Sequence, residues 1–215
     1  YKTDESKIRL IHRCVNMENF NVETTSAERM IKYLEDNNIP EDKPIITLIG
    51  RLTNWKGQKL LIEALHLLEN EDFFCVMIGD DQGRKKYSAE LRKMIDNYNM
   101  TDRFLFIRNV KDIPAAMMVS DVVLSTSIEP EAFGRIAIEG QAMGRVVVAS
   151  NIGGSVETVI DGVTGRLYES TSAKALAEAI EWALHLSTEE REKIGAAGIK
   201  NVKEHFTKQI MCDKT

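Results

Sequence analysis

The chain has 215 residues, 43% of them hydrophobic and 28% charged, with 28 Lys and Arg set against 33 Asp and Glu for a net charge of -5. That is the composition of a globular domain with a core of its own. It excludes the basic footprint of a nucleic-acid-binding domain, and no apolar run approaches the roughly 20 residues that span a bilayer.

In chain order, the charged opening YKTDESK lacks the apolar stretch of a secretory signal. Short apolar runs rich in β-formers follow: IRLIH (8–12), IITLIG (45–50), FFCVMIG (73–79), RFLFI (103–107), DVVLST (121–126), VVVAS (146–150) and the weaker GRLYE (165–169). Between them the apolar spacing predicts helices over 26–38, 57–69, 85–98, 112–119, 134–143, 155–160, 173–186 and 188–205. The runs are continuous rather than alternating, as in strands covered on both faces, and their regular exchange with helices implies βαβ units. The expected fold is one α/β domain, a Rossmann-like doubly wound parallel sheet over 1–215. Cys14, Cys75 and Cys212 are far apart and form no CxxC, which reads as reduced thiols of a cytosolic protein.

Ligands of such sheets bind beyond the carboxyl ends of the strands. That singles out the loops 50–57, 79–84, 107–112, 125–134 and 150–155, which hold most of the unusual residues. In EPEAFGRIAIEGQAMG (129–144), seven residues separate Glu131 from Glu139. On a helical wheel Glu139 falls at the edge of the main apolar face, where a carboxylate is costly without partners. Gly134 stands at the start of this helix, where free N–H groups favour an anion. The pattern suits a phosphorylated, hydroxyl-rich ligand. It also suits a capping Glu131 and a Glu139 paired with a nearby Lys or Arg. Asp80-Asp81 reads as an exposed turn rather than a metal pair, since no third ligand is near. His12, His66, His185 and His205 are dispersed, and no Ser-His-Asp or Cys-His arrangement is visible. Ser155, after Gly153-Gly154, is a possible helix N-cap.

The Glu131, Phe133-Gly134, Glu139 segment resembles the hallmark of retaining GT-B glycosyltransferases of family four, the glycosyl transferases group 1. GRLTNWKG, with Gly50, Arg51, Lys56 and Gly57, resembles the Gly-Arg…Lys-Gly segment of that family. IGDDQGR resembles its glycine-rich turn, and NIGGSVETVIDGVTG its Gly-Gly…Glu and Gly-x-x-Gly segment. The four motifs stand in the family order, and the likeness runs over about 8–206.

The resemblance implies a fold and a set of roles. The chain would be the C-terminal, donor-binding domain of a GT-B enzyme, without the N-terminal acceptor domain. Arg51 and Lys56 would neutralise the diphosphate of a nucleotide-sugar donor as it leaves, and Glu131 would contact the transferred sugar; these are the expected catalytic residues. Glu139 would hold ribose hydroxyls. Gly50, Gly153 and Gly154, with the N–H groups of Phe133 and Gly134, would border the donor. The loop carrying Val110 would lie against the base, and Trp55 would pack rather than stack on it. No metal and no cofactor beyond the donor is expected. Departures from the family pattern are Cys14 for Gly, Asn16 for Asp, Arg108 for Gly, Gly140 for Ala and Arg145 for Pro. IHRCVNMENF resembles the family's lead into this domain and FTKQIMCDKT the start of its last helix.

The expected activity is transfer of a sugar to a glycan or lipid-linked acceptor, in bacterial surface polysaccharide or lipopolysaccharide synthesis. It would take place in the cytoplasm, with peripheral membrane association of the full-length enzyme and no nucleic-acid partner. These residues alone are expected to be inactive. The alternatives are a nucleotide-binding module and a nucleotide-sugar epimerase-like protein.

Overall fold

The structure, a computed structural model, describes residues 4–215, so the first three residues of the charged opening lie outside it. Six parallel strands form one sheet: β1 (Ile45–Ile49), β2 (Phe74–Ile78), β3 (Phe104–Ile107), β4 (Val122–Ser125), β5 (Val146–Ser150) and β6 (Arg166–Tyr168), in the order β3-β2-β1-β4-β5-β6. Thr47 of β1 pairs with Val76 of β2 on one side and Val123 of β4 on the other. The chain builds outward from β1 to β3, then returns to β4 and builds the other way. The strand order therefore reverses between β1 and β4, where ligands of doubly wound sheets bind.

The helices are α1 (Ala27–Asn37), α2 (Gln58–Leu67), α3 (Lys85–Asn97), α4 (Ile113–Met118), α5 (Arg135–Ala142), α6 (Ser155–Thr158), α7 (Ala173–Leu184), α8 (Thr188–His205) and α9 (Lys208–Asp213). Alternate strand residues enter opposite cores, because successive side chains point to opposite faces. Ile46, Leu48, Cys75, Met77, Leu124 and Val148 pack with residues of α2, α3 and α7. Ile45, Ile49, Val76, Ile78 and Val123 pack with α1, α4 and Met143 just past α5. Burial on both faces is why these strands read as continuous apolar runs. Burial also raises the Cys75 thiol far above its ordinary range, and Cys14 and Cys212 are free thiols as well.

Local chemistry sets the helix boundaries. Ser26, Ser172, Ser187 and Thr207 each accept a backbone N–H of the first turn, and Ser187 forms a reciprocal capping box with Glu190. Gly140 explains its own place in α5. A Cβ there would lie 3.0 Å from Val147 and 3.2 Å from Val123, so its absence lets the helix sit close on β4 and β5. Arg145, where the family has proline, is half-buried and donates to the carbonyls of Met143 and Met118.

Two expectations need correction. IRLIH (8–12) is not a strand: residues 8–14 are unpaired, with Ile8 and Leu10 exposed, and Val15 makes a single bridge to Thr207. A strand needs a ladder partner, and this segment crosses α6 instead, tied by His12 to Glu157. Nor is Ser155 an N-cap. It is the first helical residue of α6, after Gly154, and its hydroxyl is buried beneath Gly134.

Candidate functional site

The loops that leave β1 and β4 are joined at the switch point. Thr126 Oγ1 donates to the Lys56 carbonyl at 2.8 Å, and Ile128 N donates to the Trp55 carbonyl at 2.8 Å. Gly57, with φ +73°, makes this possible: a Cβ there would lie 1.9 Å from the Thr126 carbonyl oxygen. Gly50 continues the ladder beyond β1 by donating to Ile78 O at 2.8 Å. The joined loops bring Lys56 Nζ to 2.6 Å from Glu131 Oε1, both side chains largely buried, and the Ser127 hydroxyl donates to the same oxygen. Arg51 is exposed and forms no salt bridge among the described residues. Trp55 lies between the two cations, with Lys56 Nζ 4.5 Å and Arg51 Cζ 5.9 Å from its ring centre.

Beside this pair stands the start of α5. Gly134 is left-handed (φ +67°) and provides no side-chain cap. Among the described residues the N–H groups of Phe133, Gly134, Arg135 and Ile136 have no acceptor, and together they form a concentrated donor end. Glu131 does not cap this helix. Its own carbonyl accepts Gly154 N at 2.8 Å, which fastens the loop after β5 beneath the loop after β4. The space beside Gly153 and Gly154 is filled by this chain's own backbone: Cβ atoms there would lie 2.6 Å from Glu131 O and 2.4 Å from Phe133 Cα. Their first structural task is to admit the 130–133 loop.

Glu139 is 7% exposed on α5. Arg135, one turn earlier, lies 3.1 Å away in an i,i+4 ion pair, as the pairing alternative anticipates. Among the described residues no donor completes a hydrogen bond to the Glu139 carboxylate. Burial pushes its carboxyl up to about 7, and the Arg135 charge opposes this only in part. A half-neutral buried carboxyl without hydrogen bonds is a position held at a cost.

At the β2–β3 end, Arg108 Nε lies 2.9 Å from Asp80 Oδ2 in an exposed pair that lowers the Asp80 carboxyl. Asp80 and Asp81 also accept the backbone N–H groups of Gln82 and Gly83, so they shape a turn. Val110 lines a groove of about 480 Å³ with Asn109 and Tyr33, on the α1 side.

Several participants were not singled out from sequence. Ser127 is one; its hydrogen bond follows a loop path that no local pattern announces. Arg135 is another, and there the i,i+4 spacing to Glu139 was available as a signal. Away from this site, Glu71 before β2, Glu181 on α7 and His185 just past α7 bring their ligand atoms within 4.8 Å of one another. His66 stacks on Tyr98 at 4.1 Å.

Comparison with known proteins gives the family and the fold. Residues 30–201 match the family model described as glycosyl transferases group 1. A crystal structure of a glycosyltransferase from Rickettsia africae superposes with a TM-score of 0.96 at 38% identity, covering 99% of this chain and 56% of that one. Anabaena Alr3699/HepE in complex with UDP-glucose superposes with a TM-score of 0.89 at 26% identity, over 99% of this chain and 57% of that one. The capsular polysaccharide biosynthesis glycosyltransferase CapM of Staphylococcus aureus is 27% identical over 93% of this chain and 50% of its own length. The chain thus spans about half the length of the curated relatives it matches. The family match covers most of the chain and the superpositions cover nearly all of its six-stranded sheet and helices, so the chain belongs to the glycosyl transferases group 1 family, with the Rossmann-like fold of GT-B enzymes.

Proposed function

We propose that this chain is the donor-binding half of a retaining glycosyltransferase that takes a sugar from a nucleotide diphosphate sugar. The observation that carries the reading is the meeting, at the switch point, of the Lys56–Glu131 pair, the open N–H groups of α5 and the strained carboxyl of Glu139. The open N–H groups and Glu139 lack what a nucleotide sugar provides, and the Lys56–Glu131 pair can exchange its partners for those of one. The α5 N–H groups and Arg51 take phosphate oxygens, and Lys56 turns from Glu131 to the diphosphate. Glu131, released, accepts hydroxyls of the transferred sugar. Glu139 accepts the ribose hydroxyls, which satisfy and ionise it. As the bond from sugar to diphosphate breaks, Arg51 and Lys56 stabilise the charge that grows on the leaving phosphate. The acceptor hydroxyl bonds to the anomeric carbon from the same face and gives its proton to the departing phosphate oxygen, so the nucleoside diphosphate leaves and the anomeric configuration is retained. The reading asks for no cofactor besides the donor.

The Anabaena relative bound to UDP-glucose supports a uridine diphosphate sugar as the first donor to try, and the capsular relative supports surface polysaccharide or lipopolysaccharide synthesis. A glycan or lipid-linked acceptor and an N-terminal acceptor domain complete the proposed enzyme, in the cytoplasm or at the inner membrane face. No helix of the described residues is long and apolar enough to cross a membrane, which fits peripheral association. Because the relatives are about twice as long, the second reading is a chain that binds the nucleotide sugar and transfers nothing by itself. Calorimetric titration with UDP, GDP, ADP and their sugar conjugates tests the proposal. The expected result is saturable binding of one series that Glu139→Ala and Arg51→Ala each weaken at least tenfold, by about 1.4 kcal/mol. Unchanged affinity in both folded variants would remove these residues from the site.

A further inference from the structure

His12 and Glu157 carry no role in the reading above, yet they converge on its most exposed structural dependency. The donor end of α5 depends on where the Phe133–Gly134 peptide lies, and no hydrogen bond fixes the N–H groups of that peptide. The Phe133 side chain does. It is 8% exposed and packs among Val15, Ile138, Val202 and Phe206. Two rings close on it: Phe206 edge-on at 5.7 Å and His12 in a stacked arrangement at 6.1 Å with 30° between planes. His12 also meets Phe206 edge-on at 5.9 Å, so the three rings form one cluster. The segment carrying His12, residues 8–14, pairs with no strand among the described residues. It is held by the 2.6 Å contact of His12 Nε2 with Glu157 Oε2 on α6 and by Val15 N donating to Phe206 O at 2.8 Å.

We propose that His12 is a positioning residue for the donor site: its ring, tethered by Glu157, presses on Phe133 and sets the Phe133–Gly134 N–H groups where they meet the distal phosphate and sugar. The inference rests on the donor-binding reading and deepens it. Gly154 backs the same peptide from beneath, where a Cβ would lie 2.4 Å from Phe133 Cα, so Phe133 is held between a ring above and a backbone below. The contact also links the site to residues 11–15, ahead of α1. Displacement of residues 11–15 would be felt at the donor's distal end and not at its nucleoside. The prediction is therefore a selective one. Without the His12 ring the base and ribose contacts stay, while the diphosphate–sugar contacts loosen.

The test is titration of wild type, His12→Ala, Glu157→Ala and Glu139→Ala with UMP and UDP-glucose, or with GMP and GDP-mannose if wild type prefers that series. An aromatic contact of this kind is worth up to about tenfold in affinity. His12→Ala should weaken the diphosphate sugar by about that factor and leave the monophosphate within about twofold. Glu157→Ala, which removes an exposed side chain and leaves the rings in place, should produce a smaller change of the same selectivity. If His12→Ala fails to fold, Glu157→Ala decides. A ratio of sugar-nucleotide to monophosphate affinity equal to wild type in the folded variants would overturn the proposal, and so would equal weakening of both ligands. Wild type binding neither ligand would instead overturn the donor-binding reading, and the inference with it. Wild type binding weakened by Glu139→Ala but untouched by His12→Ala would sink the inference alone.

Discussion

The crevice between β1 and β4 and the rim beyond β2 and β3 both carry acids on strand-end loops, but in opposite physical states. At the rim, Asp80 and Asp81 are in an exposed turn, accept backbone N–H groups and face Arg108. They are satisfied within the chain. In the crevice, among the described residues, Glu139 is buried with only the Arg135 ion pair and no hydrogen bond, Glu131 is held by a lysine that phosphate would attract, and four N–H groups at the start of α5 are open. The difference teaches that a carboxylate points to a ligand when burial leaves it short of hydrogen bonds, as at Glu139, not when acids are merely close in sequence.

The largest effect expected from breaking that contrast comes from the backbone. Gly57→Ala would press a methyl group 1.9 Å from Thr126 O at a left-handed residue, so the β1 and β4 loops would have to part. A loss of more than about 3 kcal/mol in urea unfolding is expected, with loss of nucleotide binding. Next comes Glu139. Burial pushes its carboxyl up to about 7 from the ordinary 4.5, so between those values the native state holds a proton that the unfolded chain has lost. Stability attributable to this group is full below pH 4.5 and falls as pH rises towards 7, by about 3 kcal/mol at most. Glu139→Gln should flatten that slope, raise stability at pH 8 and weaken nucleotide binding. Unfolding curves at pH 5 and pH 8 for both proteins would measure it, and equal slopes would show that Glu139 is ionised throughout. The smallest effect belongs to the rim. Asp80→Asn should leave melting temperature and nucleotide affinity within error of wild type, because its ion pair is exposed and screened. A clear loss of affinity there would extend the site to the β2–β3 end.

Much of this was legible in the sequence. The six paired strands and eight helices from α1 to α8 fall where apolar runs and helical spacing place them, because strands covered on both faces leave unbroken apolar segments. The IRLIH run misled for the same reason turned around: an apolar pentapeptide does not say whether a neighbour offers a ladder. Glu139 announced itself as a carboxylate on an apolar face. Ser127 did not, since its reach to Glu131 depends on the path of an irregular loop. Gly153 and Gly154 were visible as glycines, but not that the chain's own 130–133 loop would occupy the space beside them.

From local chemistry alone, this sequence determined its alternation of strand and helix and the strand-end loops singled out as site candidates. Periodicity and side-chain hydrogen bonding act over a few residues and need no knowledge of the rest. Only the tertiary structure decided which of those loops meet. The reversal of strand order puts Lys56 against Glu131 across 75 residues of chain, and the crossing of residues 11–15 with Phe206 puts His12 over Phe133. Such contacts depend on the summed packing of distant segments, and no short stretch of sequence records that sum.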